Sequence, residues 1–376
     1  MANLTLTLLI GPAVPVPAPQ DVIDALTGVS VSHDATRSGF QLTFAVSKKS
    51  PLLTTMLPAG YFDPISTRVV IIATVGGFPN VLMDGMVTQQ QLQPSSNPGE
   101  STLTITGEDL SVAMDIVSLT RPFPAMNELT IVNLILAPYL ALGIVPMVIP
   151  PIVQILKAPT KGWDTQTNMT DRAYIRQIAE RCGYVFFVRP GPLPLQSIAY
   201  FGPDVNLPIP QPALTINMDA NTNVESLSFT LNGLAKKIRV FTILDPVTHK
   251  IPIPIPLPNI NGFKPPLGLR PTPPSRIEFD KKSASLAPDE AARNILGFLL
   301  DKNNSAAVTG GGSLDVMRYG HVLEPRMLVG VRGAGLAYDG LYYVDSVSHD
   351  LKKGSYKQNF TLSRDGLISN TPVLPI

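Results

Sequence analysis

The stretch "IPIPIPLP", Ile251 to Pro258, places a proline at every second position. In an extended strand successive N–H groups point to opposite edges, so alternate prolines strip every donor from one edge. Ile251, Ile253, Ile255 and Leu257 keep their donors on the other. Such a strand can join a sheet on one side only. The alternation recurs at Pro15, Pro17 and Pro19, at Pro190, Pro192 and Pro194, and at Pro208, Pro210 and Pro212. A polyproline linker is the alternative reading of the spacing, but a free linker is rarely so apolar. Residues 246–274 are therefore expected to form an inserted arm that ends in, or contains, an edge strand.

Elsewhere apolar runs rich in Val, Ile, Thr and Phe, bounded by Gly, Pro or Asn, read as strands. They are Leu4–Ile10, Gly28–His33, Phe40–Val46, Arg68–Thr74, Val81–Thr88 and Ser101–Thr106. "STLTIT" alternates polar and apolar, the period of a half-buried strand. No basic residue precedes Arg37, so the opening "MANLTLTLLIG" is expected as a first strand and not an export signal. Three segments carry helix signals. "GEDLSVAMDIV" follows the first strands. "MTDRAYIRQIAERCGY" puts Tyr174, Ile175, Ile178, Ala179 and Cys182 on one face, with Thr170 to cap it and Gly183 to end it. "APDEAARNILGFLL" has Pro288 and two acids in its first turn. The fold class is mainly β with a few short helices.

Charge narrows the partners. Lys and Arg number 29 against 28 Asp and Glu, so the whole chain projects no field toward nucleic acid or an anionic membrane. Charged residues make up 15%, where about 25% is usual, so much of the surface is expected to be covered by partners. The single Cys182 excludes an internal disulfide and any cysteine-built zinc cluster. From Leu129 to Leu156 there is no charge over a bilayer's length, but Pro138, Pro146, Pro150 and Pro151 interrupt it. A short buried helix from Asn127 to Pro138, then extended apolar chain, is expected there, with no membrane span.

Catalytic chemistry is not legible. His33, His249, His321 and His349 stand far apart in sequence, without the spacing that puts two ligands on one face, so no metal site is assigned. There is no nucleophile elbow and no phosphate loop. "GAGLAYDG" precedes a strand and reads as a turn; "TGGGS", from Thr309, reads as a flexible joint. Asp171, Arg172, Arg176, Glu180 and Arg181 read as a solvated or interface stripe on the outer face of the second helix. Lys352, Lys353 and Lys357, interleaved with Tyr356 and Phe360, read as a hairpin and not a nucleic-acid surface.

That hairpin carries the most information. Tyr342 and Val344 share one strand face; Val347 and His349 share a face one residue out of phase, which a β-bulge near Asp345–Ser346 would reconcile. After a turn at Lys352–Gly354, Tyr356, Phe360 and Leu362 keep one phase to Arg364. His349 then sits near the turn as a structural residue with no catalytic partner nearby.

The segment from Gly320 to Gly366 resembles the C-terminal signature of the phage late-control D family, the baseplate hub proteins of contractile tails. The matching pattern is D-G-x-Y-x-V-x-x-V-x-H, then a G-x-Y return strand ending in Arg. It falls on Asp339, Gly340, Tyr342, Val344, Val347, His349, Gly354, Tyr356 and Arg364. "TNMTDRAYIRQIAERCGYVFFVRPG" and "LTITGEDLSVAMD" are similar to two earlier elements of that family, in its order. The resemblance implies two tail-tube-like β-barrel domains plus smaller connecting domains, assembled as a ring-shaped homotrimer. It places a first barrel at residues 1–118 and the helix–strand part of a second at 119–211. A connecting domain at 212–309, with the arm and a helix at 288–301, and completing strands at 310–376 would follow. The echo between "LTITGEDL" and "FTLSRDGL" fits such a duplication.

The implied function is structural: a hub adapting a sixfold tail tube to a threefold spike, in a phage tail or phage-derived injection system. Implied partners are further copies of the chain, a trimeric tail spike protein, a tail tube or tube-initiator protein and other baseplate proteins, with a lumen through which DNA could pass. The spike is expected as a separate chain, because the sequence ends at Ile376 without one. The implied location is the virion tail baseplate, assembled in the bacterial cytoplasm. No enzyme activity and no cofactor is implied. Two other classes stay open at this level: a secreted carbohydrate-binding or adhesin β-protein, which the single Trp163 serves poorly, and a hydrolase with a dispersed site.

Overall fold

The computed structural model describes residues 4–12, 14–33, 38–97, 100–152, 164–205, 207–244, 252–258, 265–280, 288–300 and 306–371. Trp163, His249 and residues 246–251 and 259–264 of the expected arm lie outside them. Among the described residues the molecule is mainly β with a few short helices.

The N-terminal strands are β1 (Leu4–Pro12), β2 (Val16–Pro17), β3 (Leu26–His33), β4 (Ser38–Ala45), β5 (Thr67–Val75), β6 (Phe78–Gln93) and β7 (Thr102–Asp109), with helix α1 (Gln20–Ala25) between β2 and β3. In β7 the alternation of the sequence becomes strict in-and-out burial, Leu103 and Ile105 inward. β5 is buried along both faces. Val69, Ile71 and Ala73 enter the main core, while Arg68 on the opposite face reaches the carbonyls of Leu142 and Leu195 in the next layer.

That layer holds β8 (Ser118–Phe123), α2 (Glu128–Leu136), β9 (Ile144–Val148), β10 (Asp164–Thr170), α3 (Asp171–Cys182), β11 (Val185–Pro190) and β12 (Ser197–Gly202). α2 and α3 bury Ile131, Ile135, Tyr174, Ile175 and Ile178 with Phe186 and Phe201 in a second core. The helix signals act as expected. Thr170 Oγ1 accepts the Ala173 N–H, and Gly183 closes α3 at φ 69°. A Cβ on Gly183 would lie 2.4 Å from Gly297 Cα, so the glycine also admits the neighbouring helix. No helix among the described residues is long and apolar enough to cross a membrane.

The remaining strands are β13 (Leu207–Thr215), β14 (Val224–Leu231), β15 (Lys237–Leu244), β16 (Pro252–Pro258), β17 (Gly268–Pro271), β18 (Arg276–Asp280), β19 (Val308–Asp315), β20 (Met327–Arg332), β21 (Gly340–Lys352), β22 (Ser355–Arg364) and β23 (Gly366–Ser369). Helices α4 (Pro288–Leu300) and α5 (Val316–Tyr319) flank β19. The large sheet runs β14–β19–β22–β21–β3–β4–β7–β6–β5–β1–β2, with β20 and β13 branching from β21. The β21–β3 ladder, Val347 opposite His33 and Leu351 opposite Val29, joins its C-terminal half to its N-terminal half. Among the described residues this path is open, ending at β14 and β2.

The proline strands take edge positions. Among the described residues β16 pairs with β15 alone and β13 with β20 alone, while β2 pairs only with β1 at the end of the large sheet. In the β15–β16 ladder Ile253, Ile255 and Leu257 oppose Ile243, Phe241 and Arg239, so the surviving donors serve the one neighbour. Pro190, Pro192 and Pro194 differ. Pro190 ends β11, and the Gly191 N–H closes a turn on the Gln196 carbonyl at 2.7 Å, so alternation there marks a loop.

Three expectations need correction. "GEDLSVAMDIV" is not one helix: Gly107–Asp109 finish β7, because Gly107 lies under the Phe40 ring, and only Leu110–Asp115 turn as a 3₁₀ helix capped by Asp109. The polar residues of α3 are not all a solvated stripe. Asp171 and Arg172 are buried, Asp171 bonded to Arg121, Gln166 and Tyr139, and Arg172 to Glu108, Ser111 and Asp115. Finally, "TGGGS" is no joint but the middle of β19, hydrogen-bonded between β14 and β22. Its glycines leave room for rings: a Cβ at Gly310 would meet Phe229 at 2.8 Å, and one at Gly312 would meet the Ser226 carbonyl oxygen at 2.2 Å and Phe360 at 2.9 Å. Gly312→Ala is therefore expected to cost about 2 kcal/mol by overpacking, against a gain for a solvent-exposed flexible glycine. A urea midpoint equal to or above wild type would show that β19 is not packed this way.

Candidate functional site

The nine signature residues assemble around the β21–β22 hairpin. The register slips between Val344 and Ser346, a bulge at the position the phase change requires. Tyr342 and Val344 before it, and Val347 and His349 after it, all turn inward. Gly354 makes the turn at φ 80°, and Tyr356, Phe360 and Leu362 are buried on the return. The lysines of this stretch lie outside while its aromatics are buried, and Lys357 bonds Glu225 at 2.7 Å, so this hairpin presents no aromatic platform to solvent.

Arg364 ties the base of the hairpin. It is 1% exposed, with no carboxylate in ion-pair contact among the described residues. Its Nε donates to the Gly366 carbonyl at 2.8 Å, and its terminal nitrogens donate to Asp339 at 2.9 Å and Ala337 at 2.8 Å. The guanidinium lies 4.3 Å from the Tyr342 ring centroid, and Tyr342 itself donates to the Tyr338 carbonyl. Asp339 Oδ1 accepts the Ala334 N–H. Gly340, at φ 111°, leaves the space that Ser369 fills. One cation thus satisfies two carbonyls of the 333–340 turn and, through Gly366, fixes β23 against it. Burial holds its pKa below the usual arginine value, with nearby Tyr342 and acidic groups opposing.

His349 lies deeper. Gln358 spans Leu323, accepting its N–H and donating to its carbonyl, which fixes the amide. The amide's remaining N–H then points to His349 Nδ1 at 3.3 Å, and the Tyr356 hydroxyl lies 2.8 Å from the same atom. Nδ1 is therefore the acceptor and the ring is neutral. His33 packs edge-on at 5.5 Å across the β21–β3 ladder. Burial, then the His33 charge, holds the His349 pKa well below the usual histidine value. In unfolded chain His349 binds a proton near pH 6.5, while in the fold it does not. Its contribution to stability is complete above that pH and falls as pH drops, by up to about 1.4 kcal/mol per unit until the folded pKa is reached. Denaturation between pH 7 and 5 should show this slope reduced in His349→Gln. Equal slopes would mean that the ring titrates freely.

The two histidines line a cleft of about 420 Å³ between the large sheet and the second layer. Residues 79–82 of β6, Phe187 and Arg189 of β11, Ile198 of β12 and the 322–327 segment form further walls. Arg326 stacks 4.1 Å from the Phe187 ring centroid and is ion-paired with Asp204. No cluster of three or more metal-ligating side chains occurs among the described residues. Sequence spacing gave no hint of the His33–His349 pair, because only the β21–β3 ladder brings residues so distant together. A fainter signal existed for Arg68 and Asp84, lone charges inside the apolar runs "RVVIIAT" and "VLMDGMV".

A 43 kDa tail protein of prophage MuSo2 from Shewanella oneidensis matches 97% of this chain and 100% of its own length, at 13% identity and a TM-score of 0.61. A tail protein from Neisseria meningitidis MC58 matches 97% of this chain and 98% of its own, at 13% identity and a TM-score of 0.57. This chain has the fold of phage tail proteins. A type VI secretion component of Escherichia coli, described as structurally similar to the bacteriophage T4 tail proteins gp27 and gp5, matches 93% of the chain and 76% of its own at 11% identity and a TM-score of 0.51. No family model matches the sequence, and no curated protein matches it. The likeness lies in the fold, over nearly the whole chain.

Proposed function

We infer that the chain is a non-enzymatic baseplate hub of a contractile phage tail or phage-like injection system. In this reading it is a homotrimer that adapts a sixfold tube to a threefold spike. The supporting observation is the tail-protein fold over 97% of the chain. Two barrels per subunit would place six similar walls around a lumen. The halves of the large sheet on either side of the β21–β3 ladder are the natural candidates for them. "LTITGEDL" and "FTLSRDGL" sit one in each half, in β7 and β22, and each reaches an aspartate that accepts backbone N–H groups: Asp109 from Ser38 and Ser111, Asp365 from Leu267 and Gly268. The exposed apolar side chains, among them Leu336, Phe78, Phe279 and Leu269, suit a chain largely covered in an assembly. The C-terminal signature serves the interior of the sheet in this reading, so contacts with tube and spike fall to other surfaces.

The native mass of the purified chain, alone and mixed with the candidate spike, tests the proposal. A threefold mass or a 3:3 complex is expected. Six copies around the tube without threefold grouping would overturn it.

A further inference from the structure

The cleft beside His33 and His349 contains a cation that forms no ion pair with any described residue. Arg189 projects from β11 into it, half-buried, and makes no hydrogen bond or ion pair with any described residue. Every other charged group around it is accounted for. Arg326 is held by Asp204 and the Phe187 ring. His349 is neutral, and His33 bonds Ser38 Oγ at 3.0 Å. Glu324, exposed at the rim with its backbone clamped by Gln211, forms no ion pair among the described residues. The Arg189 charge is disfavoured by burial and by Arg326, with Glu324 opposing. A cation kept half-dry beside another cation is stabilised by an anion entering from outside.

The walls restrict what carries that anion. Pro79, Pro190, Pro192 and Pro325 line the cleft and have no N–H to offer. Val81, Leu82 and Ile198 add apolar surface. A bare inorganic anion would find one donor group and little else. An extended peptide would bring a carboxylate to Arg189 and side chains to the apolar and proline-lined walls. The volume, about 420 Å³, falls in the range of roughly 300–1,000 Å³ usual for ligand sites, which favour junctions between packed units.

We propose that this cleft binds an extended segment of a partner protein through an Asp or Glu side chain paired with Arg189. The inference does not depend on the hub reading, since it rests on the charge and shape of the cleft alone.

The test uses the full chain and the blocked pentapeptide acetyl-Gly-Pro-Glu-Pro-Gly-amide, titrated by calorimetry and by the Nε–H signals of ¹⁵N-arginine-labelled protein. The expected result is saturable binding that shifts the one arginine signal missing from Arg189→Gln. Affinity should fall about tenfold or more for the Gln-for-Glu peptide or in Arg189→Gln, as loss of a charge-assisted hydrogen-bond pair implies. Glu324→Gln, which removes a competing carboxylate, should strengthen binding severalfold. Arg189→Gln removes no bond within the fold, so an unchanged unfolding midpoint will separate lost binding from lost structure. Sodium acetate binding as tightly as the peptide would overturn the peptide assignment. Absence of saturation, or equal binding by the Glu and Gln peptides, would overturn the site.

Discussion

Arg364→Met is expected to destabilise the chain by about 4 kcal/mol, read as a lower urea midpoint at unchanged slope and fixed protein concentration. Three carbonyls, of Ala337, Asp339 and Gly366, lose a charged donor at 2.8–2.9 Å, the Gly366 one in a buried bond and the other two part-buried. Each such bond contributes roughly 1.5–3 kcal/mol, and an orphaned buried acceptor costs about 1–3 kcal/mol. Against that, the mutant no longer buries a cation, which recovers several kcal/mol. Methionine fills similar space, so the cavity contribution stays small. Arg364→Lys should recover less than half of the loss. A point ammonium cannot span three separated carbonyls, nor lie flat on Tyr342 as the planar guanidinium does. A methionine variant within about 1 kcal/mol of wild type would show that the turn holds itself.

The contrast between Arg364 and Arg189 shows what a sequence can carry. The hairpin was legible because its cues are local: alternation, one phase slip, one glycine turn and a terminal arginine. The bulge at Val344–Ser346 follows from counting residues. The proline edges were legible for the same reason, since a missing donor is a property of the residue itself. "TGGGS" misled because glycine reads as freedom when its neighbours are unknown; Phe229 and Phe360 come from β14 and β22 and cannot be inferred from the run. The first turn of α3 misled likewise, since burial of Asp171 and Arg172 depends on Arg121, Asp115 and Glu108, all far away in sequence. The cleft has walls from five separate stretches, so Arg189 carries no local sign that its guanidinium stays empty-handed.

Asp84→Ala should cost about 3–5 kcal/mol, because it leaves a buried arginine without its counter-charge. Asp84 is 1% exposed and receives Arg68 Nε at 2.7 Å and a terminal nitrogen at 2.6 Å, in the parallel two-bond geometry that makes such pairs strong. The same guanidinium donates to the Leu142 and Leu195 carbonyls, so the pair joins the large sheet to the second layer. Asp84 also accepts from Ser197. Losing it frees Arg68 to seek water, which pulls those two loops away. Amides near Gly143 and Ser197 should therefore exchange faster in the variant than those of α3, although both belong to the same layer. The double replacement Arg68→Met with Asp84→Leu removes both charges and should recover much of the loss, since a buried pair replaced by apolar groups is often near neutral. Should the double variant prove as unstable as the single one, the cost lies in the severed carbonyl ties and not in the orphaned charge. In that case Arg68 would act chiefly as a clamp between the two layers, with Asp84 only orienting it.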